Sequence, residues 1–236
     1  MRKLLALLLL IAASASAQIV GVGNRKVFSA SGGTAIAFDN ASSVNTGTGV
    51  TSLTYSLTVG SGTNRLLFVG VRILSLTTPT VTYAGASMTL VASATFNFGA
   101  DECYLFALVA PTSGANNVVV TVSTSASISS AASSYTGALQ SVTMDNSTTN
   151  NTNGTTATLT LTTVADNCWT VAFSGGGSGV SISAGAGSTL RSNTGQASGI
   201  LDSNAPITPP GSTSMVINIA ATAKAQASLM VSFTHA

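Results

Sequence analysis

Charge is scarce in this chain: 8 Lys and Arg, 6 Asp and Glu and a single His among 236 residues. The chain opens MRKLLALLLLIAASASAQ. Arg2 and Lys3 precede the apolar run Leu4 to Ala13, and Ala15-Ser16-Ala17 has the form of a cleavage site, so residues 1–17 read as a signal peptide. Removing it leaves six basic against six acidic residues and no net charge. No basic stripe remains to meet a phosphate backbone, which excludes nucleic acid as a partner. Little repulsion between copies remains either, which favours self-association.

Other things are missing too. No later segment reaches the roughly 20 apolar residues of a transmembrane helix, so no membrane span is expected after cleavage. Helical periodicity is absent. A Ser-His-Asp site would have to use His235, the penultimate residue, and there is no G-x-S-x-G elbow. One His and two Cys make a zinc site implausible. Asp101 and Glu102 are adjacent, so on a strand they point to opposite faces rather than flank one substrate. The expectation is a protein that is not an enzyme.

What the chain does have is alternation. Leu53, Tyr55, Leu57 and Val59 form one period-two set, and RLLFVGVRI at 65–73 is apolar on both faces, as a central strand would be. Clusters of Gly, Asn, Pro and Ser separate such runs at roughly ten-residue intervals, the pattern of a sandwich or barrel. Repeated β-branched runs argue against disorder. The tracts SSVNTGTG and STTNNTNGTT read as solvated loops.

The text also repeats. FDNASSVNTGTGVTSLTYSLTV (38–59) parallels MDNSTTNNTNGTTATLTLTTV (144–164), and RLLFVGV (65–71) parallels CWTVAFS (168–174). YAGASMTLVAS parallels SAGAGSTLRSN, and APTSGANNVVVTV parallels APITPPGSTSMVINI. SISSAASSYTGA (127–138) parallels AQASLMVSFTHA (225–236). Five collinear matches point to one unit written twice. The expectation is an all-β antiparallel sandwich of jelly-roll type built from two repeated halves, 36–138 and 139–236. Residues 18–35 form an N-terminal extension or edge strand. Either two tandem sandwiches or one interleaved sandwich fits; the short link Leu139 to Val142 favours one compact globule.

Candidate sites follow from the same residues. Tyr83, Phe96 and Phe98 lie near the loops around 84–100, and FNFG sets two rings at alternate positions beside a turn, which suits a carbohydrate platform or packing under the loop. Asp39-Asn40 and Asp145-Asn146 recur at matching positions before hydroxyl-rich stretches; they suit Ca²⁺ ligation or an Asx-turn. Cys103 and Cys168 allow a disulfide in an exported protein, worth roughly 4 kcal/mol by loop entropy, or two buried thiols. Trp169 reads as core. The sequons at Asn40, Asn146, Asn150 and Asn153 matter only in a eukaryotic secretory pathway.

TVTYAGASMTLVAS, LFALVAPTSGANNVVVTVS, SSYTGA, TTVADNCWTVAF and ILDSNAPITPPGSTSM together resemble a family of uncharacterised β-sandwich proteins, jelly-roll or concanavalin-like, from environmental bacteria and phages. The resemblance runs from about residue 36 to the end. It implies an extracellular or particle-surface setting and carries over no site residues. The leading expectation is a secreted module that binds a surface glycan or another cell-surface partner. The alternative is a self-assembling component of a cell envelope or phage particle.

Overall fold

The computed structural model describes residues 33–177, 181–195, 198–219 and 223–236. The expected signal peptide, and all but residues 33–35 of the expected N-terminal extension, lie outside them. The described residues carry antiparallel strands, one 3-10 turn and no α-helix.

In the first half, β1 (Ala37–Val59) and β7 (Gly114–Thr136) pair along nearly their whole length. Their register shifts between Asn45 and Gly49, and the ribbon folds over there. The early part of β7 pairs with β3 (Thr80–Tyr83), which pairs in turn with β4 (Ala86–Ser87). The late part pairs with β2 (Leu66–Ile73), followed by β6 (Asp101–Val109) and β5 (Thr89–Phe96). The folded ribbon thus makes two layers. Val118, Val120, Tyr55 and Tyr83 of one pack on Val69, Val71 and Phe106 of the other. The Tyr55 hydroxyl and Ser130 Oγ, 2.8 Å apart, tie the layers together. β2 is buried along its whole length between β7 and β6, as its two apolar faces require.

The second half has the same strand order. One sheet runs β12 (Thr189–Asn193), β13 (Ser198–Asp202), β10 (Trp169–Gly176), β15 (Lys224–Phe233), β8 (Asn146–Gly154). The other runs β11 (Ile182–Ala184), β14 (Ser212–Ile219), β9 (Thr156–Thr162). Position for position these match β5-β6-β2-β7-β1 and β3-β7-β1 of the first half. Even the irregularity recurs: the register slips between Leu90 and Ala92 in β5 and between Leu190 and Ser192 in β12. In β9, TATLTLT buries only Ala157, Leu159 and Leu161, which pack with Met215 and Ile217 on Met230 of the larger sheet.

The two five-stranded layers then stack on each other. Their orders run oppositely, so β5 lies over β8, β2 over β10 and β1 over β12. This is the arrangement of an isologous dimer interface inside one chain. Its core holds Leu66, Phe68, Leu105 and Tyr135 from the first half and Trp169, Phe173, Leu229 and Phe233 from the second. The tract SSVNTGTG, expected as a loop, lies in β1, and STTNNTNGTT, also expected as a loop, runs along β8 and reaches the first residue of β9. Ser, Thr and Asn form strands there because β7 and β15 supply the ladder while only alternate side chains face inward.

Candidate functional site

The strand β5 ends on Phe96, whose ring is buried in the central core. The chain then makes a single 3-10 turn, Asn97–Gly99, before β6. Asn97 has φ 51° and Phe98 φ 55°, and Gly99 follows at φ 82°. Glycine and asparagine adopt this left-handed region readily, whereas a bulky aromatic residue pays a steric penalty of roughly 1–2 kcal/mol. Asn97 Nδ2 donates to Asp101 Oδ2 at 2.9 Å and so holds the turn from within. The outcome is that the Phe98 side chain stands wholly in solvent, at 102 % relative exposure. Strained backbone beneath a displayed side chain is a recurrent mark of binding sites.

Beside the ring lies a cleft of about 280 Å³, lined by Asn97, Phe98, Asn151, Thr152, Asn153 and Ala225. It is a junction of the two halves: the turn comes from the first, β8 and β15 from the second. Asn151 Nδ2 donates to Thr95 O at 2.5 Å and pins β8 against β5. Carboxamides and a hydroxyl make up its polar wall, and none of these groups titrates. Lys224, exposed, stands next to Ala225 at the margin. Elsewhere in the core, Arg72 of β2 is buried, and its Nε and Nη2 have no hydrogen-bond partner. Burial lowers the pKa of this guanidinium, while Cys103 and Asp101 act to raise it.

The three aromatic residues expected to share a face do not. Tyr83 is buried within the first half, its hydroxyl donating to Leu57 O (3.2 Å) and Gly114 O (3.1 Å). Phe96 faces the central core. The alternation that placed Phe96 and Phe98 together fails because the chain leaves the strand at Asn97. Only Phe98 reaches the surface. Asn97, Asn151, Thr152, Asn153 and Ala225 are not among the candidates the sequence offers; the asparagine-rich tract is the available signal, and its composition suggests a loop.

Asp39 and Asp145 play matching parts. Asp39 Oδ2 accepts from Gly60 N (2.8 Å) and Ser134 Oγ (2.7 Å). Asp145 accepts from Val164 N and Ala165 N (2.9 Å each) and from Ser232 Oγ (2.9 Å). The neighbouring amides repeat the scheme, Asn40 Nδ2 donating to Thr58 O (2.9 Å) and Asn146 Nδ2 to Thr162 O (2.8 Å). Asp39-Asn40 therefore clasps the start of β1 to its own end, and Asp145-Asn146 clasps the start of β8 to the end of β9. Burial opposes the Asp145 charge, and the two amides and the serine hydroxyl outweigh it, so its pKa lies below the ordinary value. Among the described residues no group of three or more His, Cys, Asp or Glu side chains gathers as a metal site would require.

Of the two alternatives for Cys103 and Cys168, a disulfide or two buried thiols, the structure has the second: both are free and buried. Cys103 lies against Gly175 near one end of β10. Cys168 precedes Trp169 at the other end, its Sγ donating to Ala165 O at 3.1 Å. Seven residues of extended chain separate those places, roughly 20 Å, far beyond the reach of a disulfide. Trp169 is buried beside Tyr135, with ring centroids 6.1 Å apart. His235 bridges to Ala138 through its backbone, and its Nδ1 has no partner.

Comparison with protein-family models, with curated proteins and with solved structures gives no match.

Proposed function

We propose that this protein is a non-enzymatic binding module of the cell exterior and that it takes a sugar ring on Phe98. The observation that carries the reading is a fully exposed phenylalanine on a left-handed turn, set beside a cleft walled by amides and a hydroxyl. A pyranose has an apolar C–H face and a rim of hydroxyls. The aromatic face suits the first. Carboxamides, which both donate and accept, suit the second. A small concave site with a few convergent polar groups is the usual form of a ligand pocket. The reading takes residues 1–17 as an export leader, consistent with a glycan met outside the cell.

The test is binding of the purified protein to an array of polysaccharides and oligosaccharides, with Ca²⁺ and again with EDTA. Saturable binding to a neutral glycan, reduced about tenfold or more in Phe98→Ala at unchanged melting temperature, is expected. No binding by folded protein, or binding indifferent to Phe98→Ala, overturns the reading. EDTA sensitivity would assign Asp39 or Asp145 to a cation.

A second reading, a self-assembling envelope or particle component, draws on β5. This strand ends its sheet and carries no charged residue, and Leu90 on it is exposed. Uncharged edges invite pairing with another chain. Light scattering at high concentration decides: a strict monomer removes this reading.

A further inference from the structure

We propose that the binding site continues from Phe98 along β8, and that its ligand is therefore a linear, neutral polysaccharide laid along that strand. The proposal rests on the glycan reading above and names the class of glycan.

Side chains alternate along β8. Ser147, Thr149, Asn151 and Asn153 are exposed, while Thr148, Asn150 and Thr152 are half-buried. In register with β15, the exposed set lies beside Val231, Leu229, Ala227 and Ala225, on the side that faces β5. Four hydroxyl or amide groups thus form one row, spaced by roughly 7 Å and spanning roughly 20 Å. The row ends in the cleft at Phe98, because Asn151 and Asn153 belong to both. β8 carries no charged side chain, so an anionic chain would find only Lys224 at the margin. A row one residue wide has partners for a single unbranched chain.

The strand is braced before any ligand arrives. Asn146 Nδ2 and Asn150 Nδ2 donate to Thr162 O (2.8 Å) and Thr158 O (2.9 Å) of β9, and Asn151 Nδ2 donates to Thr95 O. Such preorganisation lowers the ordering cost of binding. The matching stretch of the other half is an internal contrast. There Ala41, Ser43 and Asn45 of β1 are half-buried. Ser43 Oγ donates to Asn193 O at 2.7 Å and accepts from Ser192 Oγ at 2.8 Å, so β12 covers this stretch. At equivalent places the β1 set is half-buried beside β12, whereas the β8 set, tied to β5 at Asn151, is exposed.

The experiment is calorimetric titration of the full protein with linear cello-, laminari- and malto-oligosaccharides of increasing length, from disaccharide to hexasaccharide. Affinity is expected to rise about tenfold or more from disaccharide to hexasaccharide in one series. Ser147→Val combined with Thr149→Val should flatten that rise, weakening the hexasaccharide more than the disaccharide. Phe98→Ala should weaken every length. A flat length dependence in the unaltered protein, or a rise that survives the double substitution, overturns the extended track and leaves the Phe98 reading standing. Indifference to Phe98→Ala overturns the reading on which the track rests. Failure of all three series also overturns the proposal.

Discussion

Gly70 of β2 lies directly against the ring of Phe173 of β10, the residue that holds the corresponding place in the other half. A Cβ at Gly70 would enter the ring. Two residues further along the same strands the roles reverse. Arg72 projects where its counterpart is Gly175, and a Cβ at Gly175 would come within 2.7 Å of Cys103 Sγ and 2.9 Å of Arg72 Cβ. The two central layers share one strand order, yet their contact surfaces are complementary rather than alike. Interiors packed to crystal density leave no other arrangement for a large side chain facing its own equivalent position.

This complementarity predicts a coupled pair. Gly70→Ala should destabilise by about 1–3 kcal/mol through overpacking. Phe173→Ala should cost about 3–5 kcal/mol through the cavity it leaves. The double variant should lose clearly less than the sum, because the new methyl group enters space the ring has vacated. Urea unfolding of the four proteins measures the coupling; additive losses would show that the two residues do not share that space.

The Asp145 clasp gives a pH dependence with a definite sign. Its folded pKa lies below its unfolded one, which is about 3.9. The stability it contributes is present above that unfolded value and is lost as pH falls through the depressed folded pKa. Asp145→Asn should therefore be less stable than the unaltered protein at neutral pH, and the gap should narrow below about pH 4. Melting temperatures between neutral and strongly acid pH read this directly. A gap that stays constant across the range would mean that the carboxylate charge contributes nothing.

How much of this was visible in the sequence differs by residue. The central place of β2 follows from apolar residues on both faces, and the β9 faces follow from strict alternation; both are local rules that tertiary structure did not override. β8 was not visible, because its strand state comes from β15 and from asparagine side chains bound to β9, partners distant in sequence. Tyr83 was misplaced because its hydroxyl finds carbonyls inside the core, which nothing near it in sequence reveals. Of Tyr83, Phe96 and Phe98 only Phe98 is exposed: alternation cannot foresee that two left-handed residues end the strand.

The free thiols make a third prediction. Burial pushes the Cys103 thiol well up, and burial with the nearby Asp145 carboxylate raises Cys168 to about 12. Neither forms thiolate near neutrality, so a thiol reagent should leave the folded protein unmodified and label both cysteines on unfolding. Reductant should not change the melting temperature. Labelling of neither thiol in unfolded, unreduced protein would show the two joined in a disulfide.

The last prediction concerns the charge buried between the halves. Asp202 Oδ2 accepts from the Tyr135 hydroxyl at 2.9 Å and from Arg191 Nε at 2.7 Å, while Asn204 N donates to Oδ1 at 2.9 Å. Arg191 also donates from Nη2 to Asn204 Oδ1 at 2.6 Å, and its guanidinium lies 4.1 Å over the Phe38 ring. Phe38 and Tyr135 belong to the first half, the other three to the second, so this one carboxylate joins them. Arg191→Ala strands a buried charge and should cost about 3–5 kcal/mol. Tyr135→Phe removes one donor and should cost about 1–3 kcal/mol. Arg191→Lys should recover only part of the loss, since an ammonium neither stacks as a plane nor reaches two acceptors in the same fork. Burial, then the Asp202 charge, raises the Tyr135 pKa well above the ordinary value. Its contribution is complete below the unfolded pKa of about 10 and is lost as pH rises from there through the folded value. Tyr135→Phe should therefore lose stability less steeply than the unaltered protein above about pH 10. Parallel alkaline curves would mean that the Tyr135 pKa is not raised on folding.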